Sequence, residues 1–369
     1  MEVFLILKFT KENITKIILE VNQHKTNIQL IIIYNSKGFT KKIDSQQEDS
    51  DFFSNKEIGE ILDAVIDADI KFKIYYNEFS FAEDIVNKKI NHNSLLVWNL
   101  SRQGSENNQK SLVTSICDYY KIPFIGSSVY TMNLCRHKYH FQKILNSFNL
   151  AYIPTFTQNE ALQRESNDGN YLIKMMKGSA SRGTDETTSN LSWNQAKKKI
   201  TTLQTKRNVK FIVQEVIDGY EVEIPLFKFN GVFTALGVAG ISINGTFFLE
   251  NQILSEDGSD NNNYDFYDFE KFAYSELGYS CEKIIQDAIN IAEIMELDDY
   301  CRIDFRIRFN GDFHCFDIST TPYITEKSSP IYLLKQLGFK HKDIISLIIH
   351  SFNSLVHFIE ICITNIPIN

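Results

Sequence analysis

The residues with the clearest capacity for chemistry lie in one stretch late in the chain, CRIDFRIRFNGDFHCFDISTTP (301–322). Asn310-Gly311 predicts a two-residue hairpin turn, so the returning strand brings Asp317 back to the level of Asp304. The polar side chains that alternate onto one face of this hairpin are Arg302, Asp304, Asp317 and Ser319. Oxygen ligands of this kind suit Mg²⁺, which completes its shell with substrate phosphates. The alternative is a surface hairpin with an Arg–Asp ion pair, and this segment alone does not separate the two.

A second candidate is the small-residue loop KMMKGSASRGT (174–184), which follows a predicted strand at Tyr171–Met176. Glycine and serine let backbone N–H groups approach an anion closely, and lysine supplies positive charge. The residues of this loop that can contact phosphates are Lys174, Lys177, Ser179 and Ser181. The chain contains neither the mononucleotide nor the dinucleotide glycine fingerprint. A flexible connector is therefore the alternative interpretation of the loop.

A third candidate is the segment FIVQEVIDGYEVEIPLF (211–227), which predicts two strands around a turn at Asp218-Gly219. Glu221 and Glu223 fall on one face of the second strand. The end of the first strand, with Gln214 and Glu215, can read an adenine ring, and Glu221 can hold ribose hydroxyls. An ordinary hairpin with a solvated acidic face is the alternative.

The composition is that of a folded protein with more than one core. The chain has 369 residues, of which 43% are hydrophobic, with 28 Phe and 17 Tyr. A formal net charge of −8 argues against a protein that coats nucleic acid. The cysteines form no CxxC pair, which indicates reduced, buried thiols rather than disulfides or a zinc site. They are Cys117, Cys135, Cys281, Cys301, Cys315 and Cys362.

The sequence patterns predict a cytoplasmic protein without a signal peptide or membrane span. The N-terminal MEVFLILKFT is typical of a first β-strand, since it carries charges and lacks a cleavage site. The apolar run at 343–363 is interrupted by polar and charged residues, so a helix docked on the protein is expected there.

Strand and helix signals alternate over roughly the first 120 residues, which predicts a parallel sheet covered on both faces. A helix at Met132–Asn146 carries Lys138, and a helix at Cys281–Met295 leads into the hairpin described above. Single strands are expected at Val232–Ile241 and Thr246–Leu249. The acidic stretch 255–268 predicts a loop.

The order of these elements resembles the ATP-grasp superfamily, and within it the D-alanine–D-alanine ligase-like branch, over about residues 95–340. The segments IPFIGSSVYTMNLCRHKYHFQKIL (122–145) and VWNLSRQG (97–104) are similar to two segments of that branch. The resemblance implies an α/β protein with the ATP-grasp fold. It implies an N-terminal parallel α/β domain over 1–125 and two α+β subdomains that enclose the nucleotide. The central subdomain, 126–208, carries the Gly/Ser loop, and the C-terminal subdomain, 209–369, carries the metal and nucleotide site.

The resemblance also implies roles for individual residues on the nucleotide side of the site. The matching residues are Lys138 and Lys174 for the ATP phosphates, Gln214, Glu215 and Ile217 for the adenine, and Glu221 for the ribose. ATP is the implied cofactor.

The metal positions of the family match Asp304, Asp317 and Ser319, which implies one or two Mg²⁺ ions, with Mn²⁺ as an alternative. Arg302 matches the arginine that stabilises the tetrahedral intermediate, and Ser328 matches a serine near the second substrate. Asp317 is one methylene shorter than the usual glutamate, and Ser319 offers a hydroxyl in place of an amide oxygen. Both changes put the binding of two metal ions in question.

Other departures from the family concern the substrate. Ala180 stands where a substrate-orienting serine is common, and the family's Lys-Tyr pair would fall near Gln252-Ile253. The N-terminal loop whose glutamate anchors the ammonium group of D-alanine is not recognisable. We therefore expect substrates other than D-alanine.

The implied reaction is ATP-dependent ligation of a carboxylate and an amine through an acyl phosphate, on amino acids or related small carboxylates. The expected partners are these small molecules, with no nucleic acid or membrane, and a homodimer is left open. One alternative is a degenerate ATP-grasp protein that binds nucleotide without ligase activity, and substrate-dependent release of ADP and phosphate would separate the two. Another is a ligase whose nucleophile is a hydroxyl or a thiol, which the mass of the product would reveal.

Overall fold

The N-terminal part of the chain is built on a parallel sheet. The computed structural model describes residues 7–39, 51–90, 95–102, 109–165, 168–177, 187–206, 210–250 and 264–352. The four parallel strands, in the order β2-β1-β3-β4, are β1 (Gln29–Tyr34), β2 (Lys71–Tyr75), β3 (Leu95–Leu100) and β4 (Phe124–Ile125). The helices of this part are α1 (Lys11–His24), α2 (Asn55–Asp67), α3 (Glu78–Val86) and α4 (Leu112–Tyr120). The central strand β3 is buried along its whole length, as expected for a parallel strand covered on both faces. The predicted parallel α/β architecture is confirmed.

The helix predicted over Met132–Asn146 is wrong in one respect, because the structure divides it into α5 (Val129–Arg136) and α6 (Lys138–Ser147). His137 leaves the helical region, with φ −89° and ψ 86°, and its Nδ1 accepts the N–H of His140 at 3.3 Å. The backbone N–H of Lys138 then donates to the carbonyl of Met176 at 2.9 Å. This contact with a distant strand end places Lys138 at the start of a helix.

A small antiparallel sheet occupies the middle of the chain, with the order β5-β7-β6. Its strands are β5 (Thr155–Thr157), β6 (Tyr171–Met175) and β7 (Phe211–Glu215), and its helices are α7 (Gln158–Gln163) and α8 (Trp193–Lys206). Among the described strands, β7 pairs only with β5 and β6 of this sheet. The subdomain boundary expected after residue 208 would separate β7 from these two strands.

A larger antiparallel sheet follows, with the order β11-β10-β8-β12-β13 and with β9 paired to β8. Its strands are β8 (Tyr220–Phe229), β9 (Val232–Ala235), β10 (Ala239–Ile243), β11 (Tyr264–Asp268), β12 (Tyr300–Ile307) and β13 (Phe313–Ser319). The accompanying helices are α9 (Phe269–Phe272), α10 (Glu282–Ile294), α11 (Ser329–Gln336) and α12 (Asp343–Ser351).

Three predictions about this region are corrected. The strand expected at Val232–Ile241 is interrupted at Gly237, whose φ of +150° is incompatible with a continuous strand, and so becomes β9 and β10. Thr246–Leu249 forms isolated bridges rather than a strand. Strand β11 lies within the stretch 255–268 that was expected to be a loop, because its residues pair with β10.

The parallel sheet and the large antiparallel sheet share a hydrophobic core. Helices α1, α2 and α12 contribute to this core together with Phe227 of β8 and Tyr300 of β12. The indole Nε1 of Trp98 on β3 donates to the hydroxyl of Tyr300 at 2.9 Å. Helix α12 confirms the expected docked helix as far as Ser351, and residues 353–363 lie outside the described residues. Within the described ranges, no helix combines the length and apolar character needed to cross a bilayer.

The described cysteines are free and buried, as the sequence predicts. Burial raises the pKa of Cys281 to about 12 and also raises that of Cys135. These thiols therefore stay protonated at neutral pH and are packing residues. Cys362 lies outside the described residues.

Candidate active site

The β12–β13 hairpin brings together the polar residues that alternate along it. Asp304 pairs with Asp317, and Arg302 pairs with Ser319, as the period-two pattern predicts. The predicted two-residue turn is wrong, however, because Arg308 and Asp312 are already joined by a backbone hydrogen bond of 2.7 Å. The loop therefore contains three residues, 309–311, and Gly311 takes the left-handed conformation with φ +88° that such loops require.

A β-bulge next to Asp317 places an aromatic ring in the site. Asp304 faces Asp317 whereas Phe305 faces Cys315, so Phe316 is the extra residue on β13. The ammonium group of Lys174 lies 5.6 Å from the centre of the Phe316 ring, within cation–π range. Phe316 was not singled out from the sequence, because a bulge has no reliable local signal.

Arg302 holds two carboxylates at once. Its Nε and Nη2 donate to the two oxygens of Asp304 at 2.8 Å each, and Nη2 lies 3.0 Å from Oε1 of Glu223. Glu223 is on β8, the neighbour of β12 on the opposite edge from β13, and pairs with Asp304. Two adjacent strands thus contribute acids in contact with one guanidinium, whose planar fork suits two carboxylates.

The next pair of residues on the same face of β8 and β12 is also charged. Arg306 faces Glu221, and the two side chains form a buried ion pair of 2.8 Å. Arg306 also donates to the carbonyl of Gly219 at 3.3 Å. The spacing Arg302-x-Asp304-x-Arg306 against Glu221-x-Glu223 is the sequence signal that would have identified Glu223 and Arg306 as site residues.

The carboxyl groups of this site are buried close to one another, and this raises their pKa values. Burial raises the pKa of Asp304 to about 8, with Glu223 adding to the effect and Arg302 opposing it. Burial likewise raises the pKa of Glu223, again against the effect of Arg302. Since one guanidinium serves both carboxyl groups, additional positive charge at this position would favour their ionised forms.

Two lysines approach Asp317 from other elements. Lys138 begins α6 and Lys174 lies in β6, and both are half-buried. Burial, followed by the charge of Lys138, lowers the pKa of Lys174 to about 8, whereas Asp317 and Glu221 oppose this shift. Burial also lowers the pKa of Lys138, and Asp317 opposes it. The fold therefore brings Lys174 within electrostatic range of Lys138, Glu221 and Asp317.

Other predicted residues make contacts of their own. The side chain of Gln214 is buried and donates to Thr155 at 2.9 Å, while Glu215 lies 3.3 Å from Arg308. Ile217 is buried just after β7. The hydroxyl of Ser328, immediately before α11, donates to the carbonyl of Thr325 at 2.7 Å. Their predicted roles stay predictions.

Lys177 forms an isolated bridge with His137, next to Lys138. The rings of His137 and His140 stack with their centres 3.5 Å apart. Burial, followed by the charges of His140 and Lys177, lowers the pKa of His137 to about 4. Ser179, Ser181 and Ala180 lie outside the described residues, as does Gln252-Ile253.

The oxygen atoms of the hairpin side chains are suitable ligands for a hard cation such as Mg²⁺, but they are too few to surround it completely. Both oxygens of Asp304 accept hydrogen bonds from Arg302, so a metal ion would share that carboxylate. Among the described residues, no group of three or more His, Cys, Asp or Glu side chains is arranged to hold a metal. A cation here would take Asp317 and Asp304 and draw its remaining ligands from bound phosphates, as Mg²⁺ commonly does.

Several solved structures of ligases share this fold. The D-alanine–D-alanine ligase of Bacillus anthracis in complex with ATP superposes with a TM-score of 0.60 at 14% identity, over 90% of this chain and 99% of that chain. The VanG D-Ala:D-Ser ligase of Enterococcus faecalis gives a TM-score of 0.60 at 15% identity, over 88% and 99%. The enzyme of Coxiella burnetii gives 0.60 at 14%, over 90% and 95%. The chain thus has the ATP-grasp fold.

The family is shown by the sequence itself. Residues 163–350, about half of the chain, match the family model for the D-ala D-ala ligase C-terminus. The chain belongs to this family, and therefore to the ATP-grasp ligases, which form carbon–nitrogen bonds with ATP and generally use Mg²⁺. A comparison with curated protein sequences gave no match.

Proposed function

We propose that the protein joins a small carboxylate other than D-alanine, an amino acid or a related acid, to an amine through an acyl phosphate. The observation that carries this proposal is the convergence of Arg302, Asp304 and Asp317 with the two lysines Lys138 and Lys174. Acids that hold a metal, cations that hold phosphates and a guanidinium are the groups that such a reaction needs in one place.

In the first step, an oxygen of the substrate carboxylate attacks the γ-phosphorus of ATP in line, and ADP leaves. Two anions must approach each other, so the main task of the protein is to neutralise charge. Lys138 and Lys174 would bind the phosphates, with the ring of Phe316 beside Lys174. Mg²⁺, held by Asp317 and Asp304 with Ser319 nearby, would supply further positive charge at the phosphates.

In the second step, the amine attacks the carbonyl carbon of the acyl phosphate, and phosphate leaves as the amine loses a proton. Negative charge develops on the carbonyl oxygen, and Arg302 would stabilise it. A donor in this role typically contributes about 3 kcal/mol to the transition state. The departures at Asp317 and Ser319 leave the number of metal ions as a quantity to measure.

The test is a phosphate-release screen with Mg-ATP and a panel of amino acids and other carboxylates, with D-alanine included. We expect release that depends on the carboxylate and amine, and a product whose mass identifies an amide. Asp304→Asn should abolish that release, whereas Asp312→Asn, a matched change at an exposed position next to the loop of the same hairpin, should leave it unchanged. Unchanged turnover in Asp304→Asn would refute the metal assignment. Stabilisation by Mg-ATP without any turnover would indicate a nucleotide-binding protein instead.

A further inference from the structure

A group of buried cations lies apart from the hairpin, beside the parallel sheet. Arg102 is 1% exposed, and Lys110 and Arg136 are each 8% exposed. Asp51, 2% exposed, lies 3.1 Å from the ammonium group of Lys110. We call Asp51, Arg102, Lys110 and Arg136 the buried cation cluster. Asp51 is the one carboxylate that the described residues place among these three cations.

The side chain of Arg102 is fixed on several sides. Arg102 follows β3 directly, and its Nη1 and Nη2 donate to the hydroxyl and the carbonyl of Thr321 at 3.1 and 3.0 Å. The rings of Phe53 and Tyr323 lie 5.3 and 4.9 Å from its guanidinium carbon. Its buried Nε has no hydrogen-bond partner among the described residues. The Nε–H group of Arg102 is therefore held in a fixed position without an acceptor, and such a group is suited to donate a hydrogen bond to a ligand.

The cluster borders the proposed phosphate site. Arg136 ends α5, two residues before Lys138, and donates to the side chain and the carbonyl of Gln109 at 2.6 and 3.2 Å. Arg136 and Asp51 both affect the pKa of Lys138, as Asp317 does more strongly. Thr321, the partner of Arg102, follows Ser319 by two residues. A small molecule with one end at Asp317 could therefore reach the cluster with the other.

Among the residues that the structure describes, the cluster combines three cationic side chains with one carboxylate. The cations Lys110, Arg102 and Arg136 all lower the pKa of Asp51, although burial opposes them. Burial and the charge of Arg102, with a smaller effect of Arg136, lower the pKa of Lys110 to about 7 even though Asp51 is in contact with it. The described hydrogen-bond acceptors of the Arg102 side chain, the hydroxyl and the carbonyl of Thr321, are both neutral. Burying a charge without an opposite charge in contact costs several kcal/mol, so an anion beside Arg102 would stabilise this site. The carboxyl ends of parallel strands are also where α/β proteins bind ligands.

We propose that the buried cation cluster binds a second anionic group of the carboxylate substrate, one that is not phosphorylated in the reaction. The substrate class is then an acid with an additional carboxylate or phosphate, rather than a neutral amino acid. This inference rests on the proposed ligase function and specifies its substrate.

The test compares isosteric pairs in the phosphate-release assay with wild-type protein: glutamate with glutamine, aspartate with asparagine, and phosphoserine with serine, each as both enantiomers. We expect kcat/KM for at least one anionic member to exceed that of its neutral partner at least tenfold. The dicarboxylates and phosphoserine also separate a carboxylate from a phosphate as the preferred anion. An equal or higher kcat/KM for every neutral member would overturn the inference and leave the ligase function intact.

Variants then locate the selectivity. Lys110→Met and Arg102→Gln should each reduce the anionic-to-neutral ratio at least tenfold, whereas Lys110→Arg, which keeps the charge, should retain it. Lys56→Met removes one exposed charge from the same part of the chain and is the matched control. A ratio that is unchanged in both charge-removing variants, when they are folded by circular dichroism, would contradict the assignment.

A binding measurement separates failure of the cluster from failure of the ligase proposal. Without ATP, the preferred anionic compound should raise the Tm of the wild type and of Lys56→Met, but not that of Lys110→Met. If no compound gives phosphate release, the ligase proposal fails. The Tm shifts then decide the anion site on their own, and no shift with any anionic compound would refute it.

Discussion

Arg302 and Asp304 stand two residues apart on one face of β12, and the guanidinium contacts both oxygens of the carboxylate at 2.8 Å. The pair links the group proposed to stabilise the oxyanion with the group proposed to bind the metal. Glu223 holds the same guanidinium from the neighbouring strand at 3.0 Å. The position of Arg302 is therefore set before any substrate arrives, which is the condition for electrostatic catalysis.

Arg302→Lys should lower kcat about a hundredfold, because lysine keeps the charge but cannot hold two carboxylates and donate to a third oxygen. The KM for ATP should change by less than about threefold, since the phosphates are assigned to Lys138 and Lys174. Steady-state phosphate release at varied ATP measures both quantities. Arg164→Lys, an exposed change in the central part of the chain, is the control. A kcat within about twofold of wild type would exclude the proposed role of Arg302.

The alternation of side chains explains how much of this site the sequence predicts. The sequence predicts that Asp304 and Asp317 face each other, because side chains alternate along both strands of a hairpin. The structure gives the same pair, although its loop has three residues instead of two and Phe316 forms a bulge. Glu221 is placed by the same rule.

The remaining features depend on tertiary contacts that have no local signal. The helix break at His137 follows from the bond between Lys138 and Met176, which are 38 residues apart (176 − 138). The buried cation cluster draws on Asp51, Arg102 and Arg136, and only the fold shows that these charges are buried together. The sequence pattern of each is that of an ordinary surface residue.

Gly219 couples the turn before β8 to the ion pair of the site. Its φ is +155°, and an added Cβ would lie 2.2 Å from the carbonyl oxygen of Ile307. Gly219→Ala should therefore push β8 from β12, disturb the Glu221–Arg306 pair and lower the free energy of unfolding by roughly 2 kcal/mol or more. Urea unfolding measures this change.

Gly59→Ala is the matched substitution, and it should change the free energy of unfolding in the opposite direction from Gly219→Ala. Gly59 lies inside α2, and nothing is within 4 Å of its added Cβ. Since glycine disfavours a helix interior, this change should stabilise the protein by about 0.5–1 kcal/mol. A loss of stability for Gly59→Ala, or none for Gly219→Ala, would be inconsistent with the described backbone.

Tyr300→Phe tests the contact between the two large sheets. Removing the hydroxyl leaves the buried indole N–H of Trp98 without its acceptor, which should lower the free energy of unfolding by about 1–3 kcal/mol. Tyr274→Phe, at an 80% exposed position, should change it by less than about 0.5 kcal/mol. Equal urea midpoints for the two variants would show that the Trp98–Tyr300 bond contributes nothing to stability.

Lys110 should make stability depend on pH in the alkaline range. Its pKa of about 7 in the folded protein lies below the ordinary value of about 10.4, so between these values the unfolded chain binds the extra proton. The free energy of unfolding should accordingly rise with pH from about 7 to 10, by at most about 1.4 kcal/mol per pH unit from this group. Urea unfolding at several pH values measures this dependence.

Other groups titrate in the same range, so the relevant quantity is the difference in slope between wild type and Lys110→Met. The free energy of unfolding of Lys110→Met should rise less steeply with pH than that of wild type, because the variant has no ammonium group to deprotonate. Identical slopes would mean that Lys110 keeps its ordinary pKa and that the cluster does not crowd its cations.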